Sequence, residues 1–249
     1  MGENPIMNKN SELIKLIEKT DLNFNFKKIS FKKLQNGKVN NSFLISDDEN
    51  ERKYILRINS LKSNKFNISR KNEIIILNAI KEIEIAPRII FSDPQLKFLI
   101  TEYIDGSVCS KNNFSLNDRA ILKKIIEKYQ KIEIGLPKFN YLKHIKKYQK
   151  TISQKSTIDN KLKKRLEKFY PHLENFQNKN WSPVLCHHDL NPANIIKTDK
   201  GMKIIDWEFA GYGHPKYDLH CIGLTDKDDF FFNELINIIN DLWHMINNH

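Results

Sequence analysis

The chain has 249 residues, 40% of them hydrophobic and 10% aromatic, so it can bury the core of one large domain or of two lobes. Its formal net charge of +11 favours attraction to polyanions. Cys109, Cys186 and Cys221 are isolated in the sequence, which argues against a disulfide framework or a zinc site and indicates a reducing cytoplasm. No apolar stretch is long enough to span a membrane, and the polar N-terminus lacks the apolar segment of a signal peptide.

The N-terminal part of the chain predicts an antiparallel sheet that one helix interrupts. Residues 11–19 have the apolar spacing of a short amphipathic helix. Ser69 is a suitable N-cap for a helix over 69–83, which ends before Pro87 because the residue before proline disfavours helical geometry. The strand-like segments, separated by turn residues, are 26–34, 42–45, 53–58, 88–91 and 97–104.

Asp105-Gly106 breaks this pattern and is the best candidate for a boundary between two lobes. We predict one lobe over residues 1–104 and a mainly helical lobe over 105–249. A capping-box sequence at Ser115 begins the first helix of the second lobe. Further helical patterns cover 141–153, 158–176 and 229–246.

Much of the excess lysine lies within residues 143–168, where basic and apolar residues alternate at helical spacing. This pattern is more typical of a solvated helix face than of a nucleic-acid surface. We therefore predict no nucleic-acid partner.

The second lobe contains three oxygen-bearing side chains at a distinctive spacing. His187 and Asp189 begin an H-x-D-x-x-x-x-N sequence that ends at Asn194, and Asp206 ends an apolar run about a dozen residues later. Phosphoryl transfer needs a carboxylate that accepts the proton of an attacking hydroxyl. It also needs amide and carboxylate oxygens that hold Mg²⁺ on the phosphates of ATP. The chain order Asp, Asn, Asp is that of the protein-kinase-like fold.

The residues between Asn194 and Asp206 predict a hairpin that brings these two side chains together. Segments 195–197 and 202–205 have the pattern of short strands around the turn sequence Asp199-Lys200-Gly201. Both side chains could then ligate one metal ion. Polar loops beside a structural hairpin are the alternative interpretation.

A kinase also needs a cation near the α- and β-phosphates and an acid that positions it. Arg57 in the third predicted strand and Glu73 in the following helix are the candidates, although an ordinary surface arginine and helix glutamate would have the same pattern. Gly37 and Asn40 lie in a loop between the first two strands, where backbone N–H groups could cover phosphates. Backbone groups of Glu102 and Ile104, at the lobe boundary, could meet the edge of an adenine.

The motifs together resemble the aminoglycoside phosphotransferase and choline kinase superfamily, with most similarity to the bacterial choline kinase-like and thiamine kinase-like branches. The resemblance covers residues 31–219. It includes the loop at 186–194, the Ile205-Asp206-Trp207-Glu208 segment and the downstream Gly213-His214-Pro215-Lys216-Tyr217-Asp218 segment. In the phosphate loop Gly37 and Asn40 are in register, whereas a second glycine and a threonine of the family pattern are missing.

The resemblance implies an α+β, protein-kinase-like two-lobe fold, with an antiparallel N-terminal sheet plus one helix and a mainly helical C-terminal lobe. The lobes 1–104 and 105–249 would be the nucleotide-binding lobe and the catalytic, acceptor-binding lobe. ATP and Mg²⁺ would be the cofactors and a small alcohol the acceptor. Asp189 would be the catalytic base and His187 would brace its loop. Asn194 and Asp206 would be metal ligands, Glu208 would support the metal or the acceptor, and Asp218 would steady the catalytic loop.

Choline is slightly favoured as the acceptor over thiamine. Organic cations favour aromatic faces, and Trp207, Tyr212, Tyr217, Phe231 and Trp243 are the candidates, with core packing as the alternative for each. Basic residues within 140–179 disfavour a polycationic aminoglycoside. An antibiotic phosphotransferase stays a second hypothesis. A catalytically silent binding protein on this fold, or a basic nucleic-acid binder, is the third.

Overall fold

The structure is a computed structural model that describes residues 5–20, 22, 24–25, 28–34, 39–110, 112–225 and 229–248. The chain forms two compact units. Unit 1 comprises Met1–Ser60 and Arg88–Tyr103, and unit 2 comprises Leu61–Pro87 and Ile104–His249. Residues 61–87, which we assigned to the N-terminal lobe, therefore belong to the unit that contains the C-terminal residues.

Unit 1 consists of one helix and a five-stranded antiparallel sheet in the order β1-β2-β3-β5-β4. Along β2 alternate side chains are buried, as a sheet with one face on a core requires. Leu13 and Ile17 of the helix pack against Phe43, Leu56 and Ile100 of the sheet. The elements are α1 Pro5–Ile17, β1 Ile29–Lys33, β2 Asn41–Asp47, β3 Arg52–Ile58, β4 Ile89–Ser92 and β5 Phe98–Glu102.

Unit 2 is mainly helical and confirms the second predicted group of elements. Ser115 and Asp118 form the reciprocal bonds of a capping box at the start of α3. None of the described helices is long and apolar enough to cross a bilayer. The helices are α2 Arg70–Ala79, α3 Leu116–Tyr129, α4 Tyr141–Ser153, α5 Asn160–Asn178, α6 Tyr217–Cys221 and α7 Phe230–Asn247.

Short strands position the loops of unit 2. The predicted hairpin is present as β8 Ile195–Thr198 and β9 Gly201–Ile204. Three shorter strands are β6 Ser107–Val108, β7 Val184–Cys186 and β10 Gly211–Gly213. β6 pairs with β8, and β10 pairs with β7, so both ends of the 187–210 segment are anchored in sheets.

Helix α2 begins where the sequence predicts and ends earlier. The Ser69 hydroxyl accepts a hydrogen bond from the Asn72 N–H at 3.3 Å and caps the helix. The chain continues as a 3-10 turn over Lys81–Ile83 and then adopts a left-handed conformation at Glu84. The helix packs on the 3-10 turn Trp207–Phe209.

The buried imidazole of His144 in α4 predicts that the fold is less stable at acidic pH. Burial lowers the pKa of its imidazole to about 3, with a smaller contribution from the Lys147 charge. In the unfolded chain a histidine has a pKa of about 6.5. Below that pH the unfolded state binds a proton that the folded state does not bind. The free energy of unfolding should therefore fall as the pH decreases, by roughly 1–2 kcal/mol between pH 7 and pH 5 from this residue.

The measurement is the free energy of unfolding from pH 7 to pH 5 for wild type, His144→Gln and His172→Gln. The Asn67 amide, 3.1 Å from the His144 ring, can bond to the glutamine. The pH dependence should be shallower in His144→Gln and unchanged in His172→Gln, because His172 is exposed. Equal slopes in all three proteins would contradict the assignment.

Candidate active site

The loop that follows β7 holds the Asp189 carboxylate in a network of amide donors. Asn191 Nδ2 lies 3.2 Å from Asp189 Oδ1, and Asn194 Nδ2 lies 3.0 Å from Asp189 Oδ2. Each amide nitrogen also donates to the Asp189 carbonyl, at 3.1 and 2.9 Å. The loop residue His188 has a φ of 65°, an unusual value for a residue with a side chain. The loop is therefore held in one conformation by its own side chains.

Asp218 holds the same loop from α6. Its carboxylate accepts the N–H groups of His187 at 2.7 Å and His188 at 3.0 Å, and the Tyr129 hydroxyl at 2.7 Å. The side chain is fully buried, and burial raises the pKa of Asp218 while the hydrogen bonds from Tyr129, His187 and His188 oppose that increase. Three donors on one buried carboxylate fix the backbone just before Asp189.

His187 links the catalytic loop to the strand that leads to Asp206. Its Nδ1 accepts the Asp189 N–H at 3.3 Å, so Nε2 carries the proton and donates to the Ile205 carbonyl at 3.0 Å. Burial lowers the pKa of the His187 imidazole, which keeps the ring neutral. His187 is fully buried and packs edge-on against Trp207. Its role in bracing the loop that carries Asp189 stays a prediction.

The β8–β9 hairpin returns Asp206 to the side of Asn194. Ile195 pairs with Ile204, and the Ile205 N–H donates to the Asn194 carbonyl at 2.9 Å. Asp206 has a φ of 67°, so the backbone turns sharply and leaves the residue exposed. Hydrogen bonds thus join the segments that carry Asp189, Asn194 and Asp206 within unit 2.

Burial raises the pKa of Asp189 to about 6, against the opposing hydrogen bonds from Asn194 and Asn191, and the Glu208 charge raises it further. A carboxylate with a pKa near neutrality is ionised at physiological pH and is still basic enough to accept a proton.

The donor set around Asp189 suits a hard divalent cation. Because Asn194 Nδ2 is directed at Asp189, the amide oxygen of Asn194 is the atom left for a metal. Oxygen ligands from one amide and one carboxylate are the type that Mg²⁺ accepts. Among the described residues, no group of three His, Cys, Asp or Glu side chains is placed so that it could hold a metal ion. Asn194 and Asp206 as metal ligands stay a prediction.

Glu208, which we expected to support the metal or the acceptor, is paired with Arg70. Its Oε2 lies 2.7 Å from Nη1 of Arg70, and the same nitrogen lies 3.1 Å from Oε2 of Glu73. All three side chains are buried. Glu73, which we predicted to pair with Arg57, thus pairs with Arg70 inside unit 2, while Arg57 belongs to unit 1. An Arg57–Glu73 pair stays a prediction.

The other predicted nucleotide residues are located as follows. Asn40 is buried, and its side-chain oxygen accepts the Ser60 N–H at 3.2 Å. Arg57 in β3 donates from Nε to Asn59 at 3.1 Å. The Glu102 carboxylate bonds to the backbone and side chain of Arg88, at 3.1 and 3.0 Å. Ile104 begins the second segment of unit 2, and Gly37 lies outside the described residues. Their roles in nucleotide binding stay predictions.

Two of the five aromatic candidates for an acceptor pocket have core positions. Trp207 is fully buried, packs against Tyr129 and donates from Nε1 to the Ile204 carbonyl at 2.9 Å. Tyr217 is buried and stacks on Tyr141. The remaining three are half-buried: Tyr212, Phe231 and Trp243.

His188 and Tyr141 lie beside the Asp189 loop and were not among the predicted site residues. Both ring nitrogens of His188 have a hydrogen-bond partner: Nδ1 lies 3.2 Å from the Phe209 carbonyl oxygen, and Nε2 lies 3.1 Å from Tyr141 Oη. The His214 N–H donates to Tyr141 Oη at 3.0 Å, so the hydroxyl proton is directed at His188. The doubled histidine before Asp189 was the only local indication.

The surroundings of Gly213 predict that a side chain at this position is destabilising. A Cβ at this position would lie 2.4 Å from His188 Nε2 and 2.6 Å from Tyr141 Oη. Gly213→Ala should separate these two groups and lower the free energy of unfolding by about 1–3 kcal/mol. Gly211→Ala is the matched control in the same strand, because its Cβ would meet nothing closer than Phe139 at 3.5 Å. Denaturant unfolding measures both, and equal stability of the two variants would contradict the prediction.

Comparisons with known proteins identify the family and the fold of the chain. A model of the choline/ethanolamine kinase family matches residues 31–224. The LicA homolog of Mycoplasma capricolum subsp. capricolum is 24% identical over 154 residues, which are 61% of this chain and 60% of that protein. The chain thus matches less than two thirds of the length of this curated relative.

Solved structures show the same fold. Choline kinase LicA from Streptococcus pneumoniae has a TM-score of 0.73 and 18% identity, with 97% of this chain and 91% of that chain covered. A structure of LicA in complex with AMP has a TM-score of 0.69 and 18% identity, with 99% and 91% covered. The α+β, protein-kinase-like fold predicted from the motifs is confirmed. Because the family model covers most of the sequence, the chain belongs to the choline/ethanolamine kinase family.

Proposed function

We propose that the protein is an ATP- and Mg²⁺-dependent kinase that phosphorylates the hydroxyl of choline. The proposal is supported by the hydrogen bonds that join the segments of Asp189, Asn194 and Asp206, in a chain that matches the choline/ethanolamine kinase family. A catalytically silent binding protein would have no need of this set.

Asp189 is the proposed general base. Its amide donors leave it ionised, and its raised pKa of about 6 brings its basicity close to the working pH. The carboxylate would orient the acceptor hydroxyl and accept its proton as the oxygen attacks the γ-phosphorus. His187 and Asp218 keep the loop in place without contacting the reacting atoms.

Asn194 and Asp206 are the proposed ligands of Mg²⁺. When bound, the ion neutralises charge on the phosphate oxygens. The left-handed turn at Asp206 and the hydrogen bond between Ile205 and Asn194 set the spacing of the two ligands before any ion arrives.

The nucleotide would use the residues predicted from the sequence. Arg57 would contact the phosphates, the loop with Gly37 and Asn40 would cover them, and Glu73 would support the cation. The N–H groups of Glu102 and Tyr103 already bond to the carbonyls of Arg88 and Lys53. We therefore assign adenine recognition to the Glu102 carbonyl and the Ile104 N–H. The AMP complex of the structural relative LicA supports an adenine nucleotide.

Choline is preferred over the other acceptors because the family description names choline and ethanolamine, and because a structural relative is a choline kinase. No feature of the described residues favours thiamine or an aminoglycoside. The reducing cytoplasm is the proposed location, since Cys109, Cys186 and Cys221 are free thiols.

The test is release of ADP by the purified protein with ATP and Mg²⁺ in the presence of choline, ethanolamine, thiamine or kanamycin. We expect the highest kcat/KM with choline and identification of phosphocholine by ³¹P NMR. A higher kcat/KM with thiamine or kanamycin would overturn the choice of acceptor. Binding of ATP without turnover of any acceptor would favour a silent protein.

A further inference from the structure

Arg70 is a buried cation between two helical segments of unit 2. It occupies the first residue of α2, and its Nη1 contacts the carboxylates of Glu73 and Glu208, while Nη2 donates to the Ser63 hydroxyl at 3.1 Å. The side chains of Arg70, Glu73 and Glu208 are 8%, 1% and 3% exposed. The shorter contact, 2.7 Å, joins residues 138 positions apart in sequence.

The position of Glu208 gives this contact a consequence for the site. Glu208 lies two residues after Asp206, in the 3-10 turn Trp207–Phe209 that follows the left-handed residue. The contact from Arg70 therefore anchors the middle residue of that turn to α2. Two hydrogen bonds anchor Ile205, the residue before Asp206. Its N–H donates to the Asn194 carbonyl, and its own carbonyl accepts from the His187 ring.

The charge balance shows what Arg70 does for Glu208. Arg70 contacts two carboxylates, those of Glu73 and Glu208. Removal of the guanidinium would take away a cation that both buried carboxylates contact, beside the proposed site of Mg²⁺ and phosphates. Buried carboxylates that lose their cation move toward water or toward another cation.

We propose that Arg70 is a positioning residue that holds Glu208 out of the metal coordination sphere and thereby fixes the backbone that presents Asp206. The inference rests on the proposed function and replaces the expected role of Glu208 as a metal support. Mg²⁺ would then be held by Asn194 and Asp206 alone among the protein side chains of this segment.

The first experiment measures binding of ADP with Mg²⁺, by calorimetry, to the full chain and to three arginine variants. Arg70→Gln should weaken binding about ten-fold or more, because Glu208 is released. Arg70→Lys should recover part of this loss, since an ammonium keeps the charge but not the planar fork of donors.

Arg165→Gln is the matched control. Arg165 also joins two carboxylates, Glu234 at 3.0 Å and Asp241 at 2.7 Å, but it does so between α5 and α7. It should lower the melting temperature without weakening ADP·Mg²⁺ binding.

The second experiment distinguishes a positioned Glu208 from a ligand. Glu208→Gln can still accept from Arg70, so we expect affinity for ADP·Mg²⁺ within about three-fold of wild type, whereas Asp206→Asn should lose at least ten-fold because a metal ligand is lost. The double variant Arg70→Gln, Glu208→Gln should bind more tightly than Arg70→Gln alone, because the released charge is gone. It also provides a folded reference if Arg70→Gln does not fold.

With a choline assay, Arg70→Gln should lower kcat while KM for choline changes little, a pattern that general instability would not produce. Equal affinity of Arg70→Gln and wild type, or a loss in Glu208→Gln as large as that in Asp206→Asn, would overturn the inference. Wild-type protein that binds ADP·Mg²⁺ but phosphorylates no alcohol would refute only the proposed function. Wild-type protein that does not bind ADP·Mg²⁺ would refute both.

Discussion

Asp189→Asn should reduce kcat for the phosphorylation of choline by about 10³-fold, within the range that general bases contribute. The substituted amide cannot accept the proton of the acceptor hydroxyl. The NH₂ group of the new side chain would also replace one of the two carboxylate oxygens. It would then face a donor that now bonds to that oxygen, either Asn191 Nδ2 or Asn194 Nδ2. The loss should appear in kcat, with a smaller change in the KM for ATP, because Asp189 is proposed to act on the acceptor.

Asp199→Asn is the matched control, since it makes the same chemical change at the exposed turn of the β8–β9 hairpin. It should retain wild-type turnover. A thermal shift with ADP and Mg²⁺ checks that Asp189→Asn is folded and binds nucleotide. Full turnover in Asp189→Asn would exclude it as the base, whereas loss of turnover in both variants would indicate a defect of the hairpin.

Asp218→Asn should produce the largest loss of stability, about 3–5 kcal/mol, because a buried group that has three donors loses its charge and one of its acceptor sites. The His187 and His188 N–H groups and the Tyr129 hydroxyl then compete for one amide oxygen, and the amide NH₂ faces donors. For a chain of this size the melting temperature should fall by roughly 6–20 °C. At temperatures where the variant is folded, kcat should also fall, since the Asp189 loop loses its support.

Tyr129→Phe removes one of the three donors and leaves the carboxylate with the two backbone bonds. It should lower the free energy of unfolding by only about 1–2 kcal/mol with kcat retained. Denaturant unfolding followed by tryptophan fluorescence measures both variants. An Asp218→Asn protein as stable as wild type would show that the carboxylate is not the group that holds the loop.

Local sequence patterns predicted the elements whose formation depends on residues close together in the chain. Helix α4 has the predicted bounds of residues 141–153, because Asn140 caps it and its buried face repeats at helical spacing. Ser69 and Ser115 cap α2 and α3, as their sequences indicate. The two- and three-residue strands β6 and β10 were not predicted, since a strand this short has no periodicity and exists only through its partner.

The site also has features that local sequence patterns predict and features that depend on tertiary packing. The sequence alone determined the order Asp189, Asn194, Asp206 and the hairpin between the last two, because these residues are close in the chain and turn chemistry is local. Only the tertiary structure decided which carboxylate has which partner. Arg70 meets Glu208 across 138 positions, and Asp218 meets His187 across 31. Such pairings follow from how separate elements pack, so the identity of the two residues cannot reveal them.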